Sequence, residues 1–258
     1  MSIRCRLMTF NIAHGRGLSL YQGFVSQHRL RKNLKTLGAF ARDAGVDILA
    51  LQEVDMSSHW TKHCNQLTAI QMETGHPFGV MGVNTQRGGP FPLAYGNGLL
   101  SRFPIAHWQN FPFGKATLGE KGFLYTELKI GTDACVPVVT LHLDFRSAAR
   151  RMDQLEQLIA HIHALPAAPG RLPALFCGDF NCGPRSEADA VRQFDDALRQ
   201  IGDYRIYPVS SPTFPSIWPR RKLDFIFLPA AFRVNFSEVP RVRMSDHCPV
   251  LVEFELPG

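Results

Sequence analysis

The chain has 258 residues, of which 45% are apolar and 19% are charged, and its formal net charge at pH 7 is +6. This length suits one large domain or two small ones, and the apolar content is ample for a buried core. The apolar runs are only a few residues long, whereas a membrane-spanning helix needs about 20 residues. The composition therefore excludes membrane-spanning helices. The positive charge is compatible with an anionic substrate or with an ordinary solvated surface.

The N-terminal segment and the cysteines both favour a cytoplasmic protein. The first apolar run is short and is broken by Thr9 and Asn11, so we expect no secretory leader. The six cysteines are scattered, and the closest two, Cys177 and Cys182, have no second pair with which to complete a zinc site. We therefore expect reduced thiols.

In chain order, strand and helix patterns alternate, beginning with a predicted strand at residues 4–10. Apolar residues then recur at helical spacing, at Leu30, Leu34, Leu37, Ala41 and Ala44. A second strand, DILALQE, follows at residues 47–53. This order of strand, helix and strand is typical of a βαβ unit with two parallel strands.

The same order of elements returns in the second half of the chain. The predicted strand VPVVTLHL covers residues 136–143, and PALFCGDF covers residues 173–180. The helix between them is indicated by apolar residues on one face, at Met152, Leu155, Ile159 and Ile162. Short strands lie between and after the two units, at residues 96–101, 123–130, 223–228 and 248–256. Because no long linker interrupts this alternation, we predict one α/β domain over residues 1–258, with mixed sheets that include antiparallel strands.

Polar residues stand at the ends of the predicted strands. Those that follow an apolar strand are Asn11, Glu53, His142 and Asp179, and those that precede one are Asp224, Asp246 and His247. The carboxyl ends of parallel strands form the ligand crevice of open α/β sheets, and antiparallel strands can begin at the same edge. We therefore expect these residues to converge.

Each of these residues also has a structural interpretation. A single Asn after a strand is commonly a turn former, and a single Glu there is commonly a surface residue. His142, flanked by leucines, could be a hydrogen-bonded core histidine, and Asp246 could belong to a turn. The complete set is more specific than any member, because an acid beside a histidine at a strand end is a common acid–base and metal pairing.

The segment LFCGDFNCGP, residues 175–184, contains two candidate pairs. Cys177 and Cys182 are compatible with zinc or redox chemistry, whereas Asp179 and Asn181 suit a hard cation and a phosphate. A thiolate prefers a softer metal than Mg²⁺. We interpret Asp179 and Asn181 as the functional pair and leave a zinc or redox role for the two cysteines open.

Seven motifs occur in one order between residues 9 and 250: TFN, LQEVD, GNGLLSRFPI, TLHLD, GDFN, LDFIF and SDHCPV. Together they resemble the endonuclease/exonuclease/phosphatase superfamily, whose members include deoxyribonuclease I, abasic-site endonucleases, sphingomyelinases and inositol phosphatases. The resemblance implies a four-layer α/β sandwich, with two mixed β-sheets packed face to face and helices on both outer sides. It also implies metal-dependent hydrolysis of a phosphoester, most simply a phosphodiester.

The resemblance also assigns roles to individual residues. Glu53 would be the main ligand of Mg²⁺ or Mn²⁺, supported by Asn11 and Asp246, since oxygen ligands suit these hard cations. His247 would be the general base and Asp224 the group that fixes its tautomer, as in a serine triad whose nucleophile is replaced by water.

The remaining motif residues would act on the water and the phosphate. Asp179 and Asn181 are expected to hold the attacking water, and a second metal if one is present. His142 and Asn181 are expected to stabilise the charge that develops on the phosphate. The alternative is a noncatalytic phosphate- or nucleic-acid-binding module on the same scaffold, which would ordinarily have lost the base or a metal carboxylate.

Substrate size is less well specified. Trp218, Arg220 and Arg221 precede Asp224, so we expect them beside the cleft, where a ring can stack and cations can meet phosphate; a proline-rich surface loop is the alternative. Asp144 stands where many relatives have Gly and could crowd or tune the phosphate side. Nucleic acid, a phospholipid headgroup and a small phosphoester remain open as substrates of an expected monomer.

The segment GNGLLSRFPI supports a structural interpretation. We expect Gly96 and Gly98 to shape a turn around Asn97, and Arg102 to pair with a buried acid.

Overall fold

The computed structural model describes residues 3–114, 119–131, 134–165, 169–182 and 189–257. Within these residues the strands form two six-stranded sheets. Sheet A contains, in spatial order, β11 (Arg233–Glu238), β12 (Val250–Glu255), β1 (Arg4–Asn11), β2 (Ile48–Asp55), β4 (Leu93–Ser101) and β3 (Phe78–Arg87). Sheet B contains β5 (Ile105–Pro112), β6 (Gly122–Ile130), β7 (Ala134–His142), β8 (Leu175–Asp179), β10 (Asp224–Pro229) and β9 (Tyr204–Tyr207).

One parallel pair lies inside each sheet. Strand β1 is parallel to β2, with Asn11 opposite Gln52, and β7 is parallel to β8, with His142 opposite Asp179. The other strand pairings are antiparallel. The two predicted βαβ units are therefore confirmed, and so are the mixed sheets.

Four helices cover the outer faces of the sheets within the described residues: α1 (Gln27–Asp43), α2 (Gln66–Thr74), α3 (Ala148–Ala164) and α4 (Asp189–Leu198). Apolar residues of α1 and α2 pack on the outer face of sheet A, whereas those of α3 and α4 pack on sheet B. A third apolar cluster, which includes Leu7, Ala50, Val138 and Ile226, fills the space between the sheets. This arrangement confirms the predicted four-layer sandwich. None of the described helices combines the length and apolarity required to cross a membrane.

The two long helices begin where a serine can cap them. The side chains of Ser26 and Ser147 accept hydrogen bonds from the backbone N–H groups three residues later, which would otherwise lack a partner in the first turn. Helix α1 ends at Asp43, so Ala44, which we predicted on its apolar face, lies just beyond the helix. In α3 the fully buried apolar face is formed by Leu155 and Leu158.

The predicted turn at Gly96 and Gly98 is wrong, because both residues lie inside strand β4. A Cβ atom on Gly96 would lie 2.0 Å from the carbonyl oxygen of Gly82 on β3, so glycine permits close approach of two backbones there. Asn97 between them is buried and donates from Nδ2 to the carbonyl oxygens of Gly122 and Thr140 in sheet B. This segment therefore joins the two sheets.

Gly178 controls how closely strand β8 approaches β7. Its φ is +146°, and a Cβ atom there would lie 1.9 Å from the carbonyl oxygen of Leu141. We expect Gly178→Ala to lower the free energy of unfolding by about 2 to 4 kcal/mol, since the strand must move to relieve the overlap. Urea denaturation measures this loss.

The matched control is Gly88→Ala, because a Cβ atom at Gly88 would contact nothing within 4 Å and its φ is not in the left-handed region. Its effect should stay within about 0.5 kcal/mol. Equal unfolding midpoints for the two variants would contradict the role given to Gly178.

Candidate active site

The predicted polar residues meet in a cleft of about 290 Å³ at one edge of the two sheets. The cleft is lined by Asn11, Arg16, Glu53, Lys121, His142, Phe145, Asp179, Asn181, Asp246 and His247. Asp224 lies directly behind this lining and contacts His247. The carboxyl ends of β1, β2, β7 and β8 and the start of β10 therefore converge, as the strand-end pattern predicted.

One wall of the cleft contains a histidine between two buried carboxylates. His247 Nδ1 lies 2.8 Å from Asp224 Oδ2, and His247 Nε2 lies 3.8 Å from Asp179 Oδ2. Antiparallel pairing of β10 with β8 places Asp224 opposite Asp179. The candidate ligand atoms of all three residues lie within 4.8 Å of one another. This wall can hold a proton, or contribute ligands to a cation.

The carboxylates control the protonation of this wall. Burial lowers the pKa of His247, but the negative charges of Asp224 and Asp179 outweigh burial and raise it to about 10. Burial and the charge of Asp224 raise the pKa of Asp179 to about 7. The two raised pKa values mean that His247 and Asp179 together retain a proton near neutral pH.

Asparagine side chains fix Asp179 and link it to the neighbouring strand. Asn11 Nδ2 donates to Asp179 Oδ2 over 2.9 Å, and the backbone N–H of Asn181 donates to Asp179 Oδ1 over 2.8 Å. The side-chain amide of Asn181 lies 2.9 Å from His142 Nε2 and donates to the carbonyl oxygen of Leu143. Asn181 has a φ of +48°, a left-handed conformation that asparagine tolerates better than most residues.

His142 is a site residue and not only a core residue. Burial and the positive charge of Lys121 hold the pKa of His142 well below its usual range, so the ring is neutral. Lys121 Nζ lies 3.3 Å from His142 Nδ1 and can only donate. Asn181 Nδ2, 2.9 Å from His142 Nε2, is also a donor, so the neutral ring can accept from only one of these two groups at a time. His142 Nε2 also lies 3.4 Å from Asp179 Oδ2.

Glu53 lines the same cleft. It has a φ of +53° and lies at an irregularity in the pairing of β2 with β4, which turns its side chain into the cleft. Lys121 Nζ lies 3.3 Å from Oε1, and His14 Nε2 lies 3.6 Å from Oε2. Burial raises the pKa of Glu53, but the positive charges of Lys121 and His14 outweigh it and lower the pKa below its usual range. Glu53 is therefore ionised, with Lys121 and His14 beside it.

His14 was missed by the sequence analysis. Its Nδ1 lies 2.8 Å from Asp55 Oδ2, and Asp55 Oδ1 accepts a hydrogen bond from Trp60 Nε1 over 2.9 Å. The ring also packs against Trp60 and Tyr95. His14 is thereby fixed with its second nitrogen toward Glu53, an arrangement that resembles the support given to metal ligands by their neighbours.

Two cleft cations were also missed. Arg16 Nη2 lies 2.5 Å from Asp246 Oδ2, and Lys121 approaches Glu53. Arg16 follows strand β1, and Lys121 precedes β6. The strand-end argument that selected the acids could have found both cations, if it had been applied to basic residues.

The three predicted substrate-binding residues do not line the cleft. Trp218 is 68% exposed, and the guanidinium group of Arg220 lies 5.9 Å from its ring centroid. Arg221 lies over the ring of Phe214, which in turn packs against the ring of His247. Trp218 and Arg220 therefore belong to the surface next to the site, and a substrate role for all three stays a prediction.

The remaining candidates have structural contacts. Asp144 Oδ1 accepts the backbone N–H groups of Arg146 and Ser147 at the start of α3, so this residue shapes a loop and does not line the cleft. Arg102 Nε lies 3.5 Å from Asp47, so the expected ion pair forms, but Asp47 is half-buried and not the buried acid that we expected. Cys177 is a free, buried thiol, and burial raises its pKa to about 12. A thiolate for zinc or redox chemistry is therefore disfavoured at Cys177.

The sequence profile of the Endonuclease/Exonuclease/phosphatase family matches residues 8–247. The chain belongs to this family. Members of the family hydrolyse phosphoester bonds and generally depend on divalent metal ions. A candidate phosphoesterase site therefore lies where this chain has its acidic, polar cleft.

Several proteins are similar to this chain over most of its length. The Escherichia coli (strain K12) protein YbhP is 29% identical over 255 residues, which cover 93% of this chain and 94% of YbhP. An endonuclease/exonuclease/phosphatase structure from Beutenbergia cavernae DSM 12333 has a TM-score of 0.76 at 19% identity and covers 99% of this chain and 72% of its own. The mannosyl-6-phosphatase Bt3783 of Bacteroides thetaiotaomicron VPI-5482 has a TM-score of 0.72 at 15% identity, with 97% and 99% covered. These structures show the same fold.

The coupling of His247 to its two carboxylates is testable without turnover. We expect Asp224→Asn to lower the pKa of His247 by about 1 to 3 pH units, because one of the charges that favour the imidazolium form is removed. NMR titration of the ring resonances in chelator-treated protein measures the change. Asp43→Asn, on the exposed end of α1, should leave the titration unaltered. A ring that titrates near its usual value in both proteins would contradict the coupling.

Proposed function

We propose that the protein is a Mg²⁺- or Mn²⁺-dependent phosphodiesterase in which a water molecule attacks phosphorus. The observation that carries the proposal is a cleft in which oxygen ligands lie beside a histidine that is hydrogen-bonded to a carboxylate. Metal-assisted hydrolysis needs both parts, because one neutralises charge and the other accepts the proton of water.

The donor set fits a hard cation. Glu53, Asn11 and Asp246 offer carboxylate and amide oxygens, which Mg²⁺ and Mn²⁺ prefer. Lys121 lies beside Glu53 and Arg16 pairs with Asp246. The surroundings of both carboxylates therefore favour positive charge. Glu53, Asn11 and Asp246 would hold the ion, which would supply charge neutralisation and Lewis acidity to the phosphate.

His247 is the proposed general base. Asp224 holds its Nδ1 atom, which leaves Nε2 directed into the cleft toward Asp179. The ring can accept a proton only in its neutral form, and a cation bound nearby would favour that form by repelling the imidazolium charge. Asp179 and Asn181 are proposed to position the water beside Nε2.

Three donors are proposed to stabilise the charge that develops on the phosphate oxygens. Lys121 and the side-chain amide of Asn181 point into the cleft, and His142 between them is held as a neutral ring. Fixed donors in a partly buried cleft act without the reorganisation that water would require. Lys121 is an addition to the residues selected from the sequence.

Two alternatives bear on this proposal. A noncatalytic binding module is disfavoured because the metal carboxylates, the base and its orienting carboxylate are all present and close together. A phosphatase is the second candidate, since Bt3783, which shares this fold, is described as a mannosyl-6-phosphatase. Comparing a diester with a monoester substrate separates the two enzymes.

The metal requirement can be tested with bis(p-nitrophenyl) phosphate and p-nitrophenyl phosphate. We expect hydrolysis of the diester to require Mg²⁺ or Mn²⁺ and to stop with chelator. Glu53→Gln should lower kcat/KM by about 100-fold or more, because the carboxylate that would bind the ion is lost. The matched variant Glu238→Gln, at an exposed position of β11, should retain the rate. Full activity in chelator-treated protein would contradict the mechanism, and faster monoester turnover would favour the phosphatase.

The base and its orienting residue should act as one unit. We expect His247→Ala to lower kcat at least as much as Asp224→Asn, and the double variant to lose little more than the worse single variant. The measurement is kcat at saturating Mg²⁺ for the wild type and the three variants, after circular dichroism has shown that each is folded. Strictly additive losses would indicate that the two residues act separately.

A further inference from the structure

The loops next to the cleft expose large apolar side chains. Leu20 and Phe24, in the loop between β1 and α1, are 96% and 82% exposed, and Trp218 and Ile217, in the loop before β10, are also exposed. Phe145 is exposed and lines the cleft itself. A group of exposed apolar residues on one side of a protein is typical of an interaction surface.

These loops adjoin residues of the cleft. The loop that contains Leu20 and Phe24 begins just after Arg16, which lines the cleft. The loop that contains Trp218 is attached to the site, because the backbone N–H of Ser216 donates to the carbonyl oxygen of Asp246 over 2.7 Å. We call Leu20, Phe24, Phe145, Ile217 and Trp218 the apolar rim.

Other exposed apolar residues lie outside these loops. Met72 lies on α2, Trp108 on β5, Ile201 beyond α4 and Phe236 on β11, so each belongs to a different element. Single exposed apolar residues are common in proteins and need no explanation. The apolar rim is distinct because its members come from separate loops that each adjoin a residue of the cleft.

The loops that form the rim carry basic residues and no acidic residues. Residues 17–26, 145–151 and 208–222 contain no Asp or Glu. The same segments carry Arg146, Arg150 and Arg220, all of which are exposed. Arginine and lysine next to exposed apolar residues complement a surface that is anionic outside and apolar within.

We propose that the apolar rim is a docking surface for anionic phospholipid bilayers. The inference rests on the proposed function and narrows its substrate to the phosphodiester of a lipid headgroup, which the docked cleft would face. Leu20 and Ile217 have no aromatic face on which a nucleic acid base could stack, whereas aliphatic, aromatic and basic residues together suit the membrane interface. Nucleic acid binding is the competing outcome of the test.

The first experiment measures cosedimentation of the full chain with lipid vesicles in chelator. We expect binding to vesicles of phosphatidylcholine with phosphatidylglycerol, and weaker binding to phosphatidylcholine alone. The double variant Leu20→Ser/Phe24→Ser should lower the affinity by about tenfold or more, since two apolar contacts are removed. Arg146→Gln/Arg220→Gln should lower binding to the anionic vesicles and reduce its sensitivity to salt.

The matched control is Met72→Ser/Ile201→Ser, which removes two exposed apolar side chains outside the rim. It should bind vesicles as the wild type does. A second measurement follows tryptophan fluorescence, in which a blue shift on binding should be lost in Trp218→Phe but retained in Trp108→Phe. Absence of vesicle binding, equal losses in rim and control variants, or binding of single-stranded DNA in place of vesicles would overturn the proposal.

Hydrolysis of soluble bis(p-nitrophenyl) phosphate is measured on the same wild-type preparation. Turnover of this diester without vesicle binding would overturn the docking surface and leave the proposed phosphodiesterase intact. Vesicle binding that depends on the rim, without any metal-dependent hydrolysis, would support the docking surface and contradict the phosphodiesterase. The two proposals therefore fail in different ways.

Discussion

The hydrogen bond from Asn11 Nδ2 to Asp179 Oδ2 joins the two sheets at the base of the cleft. Asn11 ends β1 of sheet A and Asp179 ends β8 of sheet B, so the bond forms only when the strand ends of both sheets are level. Asn97 of sheet A fixes the same alignment, because its side chain donates to two carbonyl oxygens of sheet B. The geometry of the site therefore depends on how the two sheets face each other.

Once the sheets are aligned, the site is held by charge compensation. Carboxylates from several strand ends lie within a small, largely buried cleft, where an unpaired charge would be costly. Each has a partner: Lys121 and His14 face Glu53, Arg16 pairs with Asp246, and His247 lies between two aspartates. The same partners determine protonation, which keeps Glu53 ionised and the His247 wall protonated. Stability and the proposed chemistry thus rest on the same contacts.

The lining of the cleft and the surface around it differ in chemical character. The cleft is lined mainly by polar and charged groups, whereas the loops around it carry aliphatic, aromatic and basic side chains. A small polar cleft can act on one phosphate at a time, so the surrounding surface has to select what presents that phosphate. The single domain over residues 1–258, the monomeric state and the cytoplasmic location stay predictions.

The sequence by itself determined the two βαβ units and most of the cleft, since hydrophobic period and strand ends are local properties of the chain. Its ordered motifs carried the family resemblance that implied the four-layer sandwich. It selected Glu53, His142, Asp179 and His247 because each stands next to an apolar strand. Only the tertiary structure decided that Gly96 lies inside a strand and that His14 and Lys121 face Glu53. These contacts join residues far apart in the chain, and a local pattern cannot specify which distant side chain will compensate a buried charge.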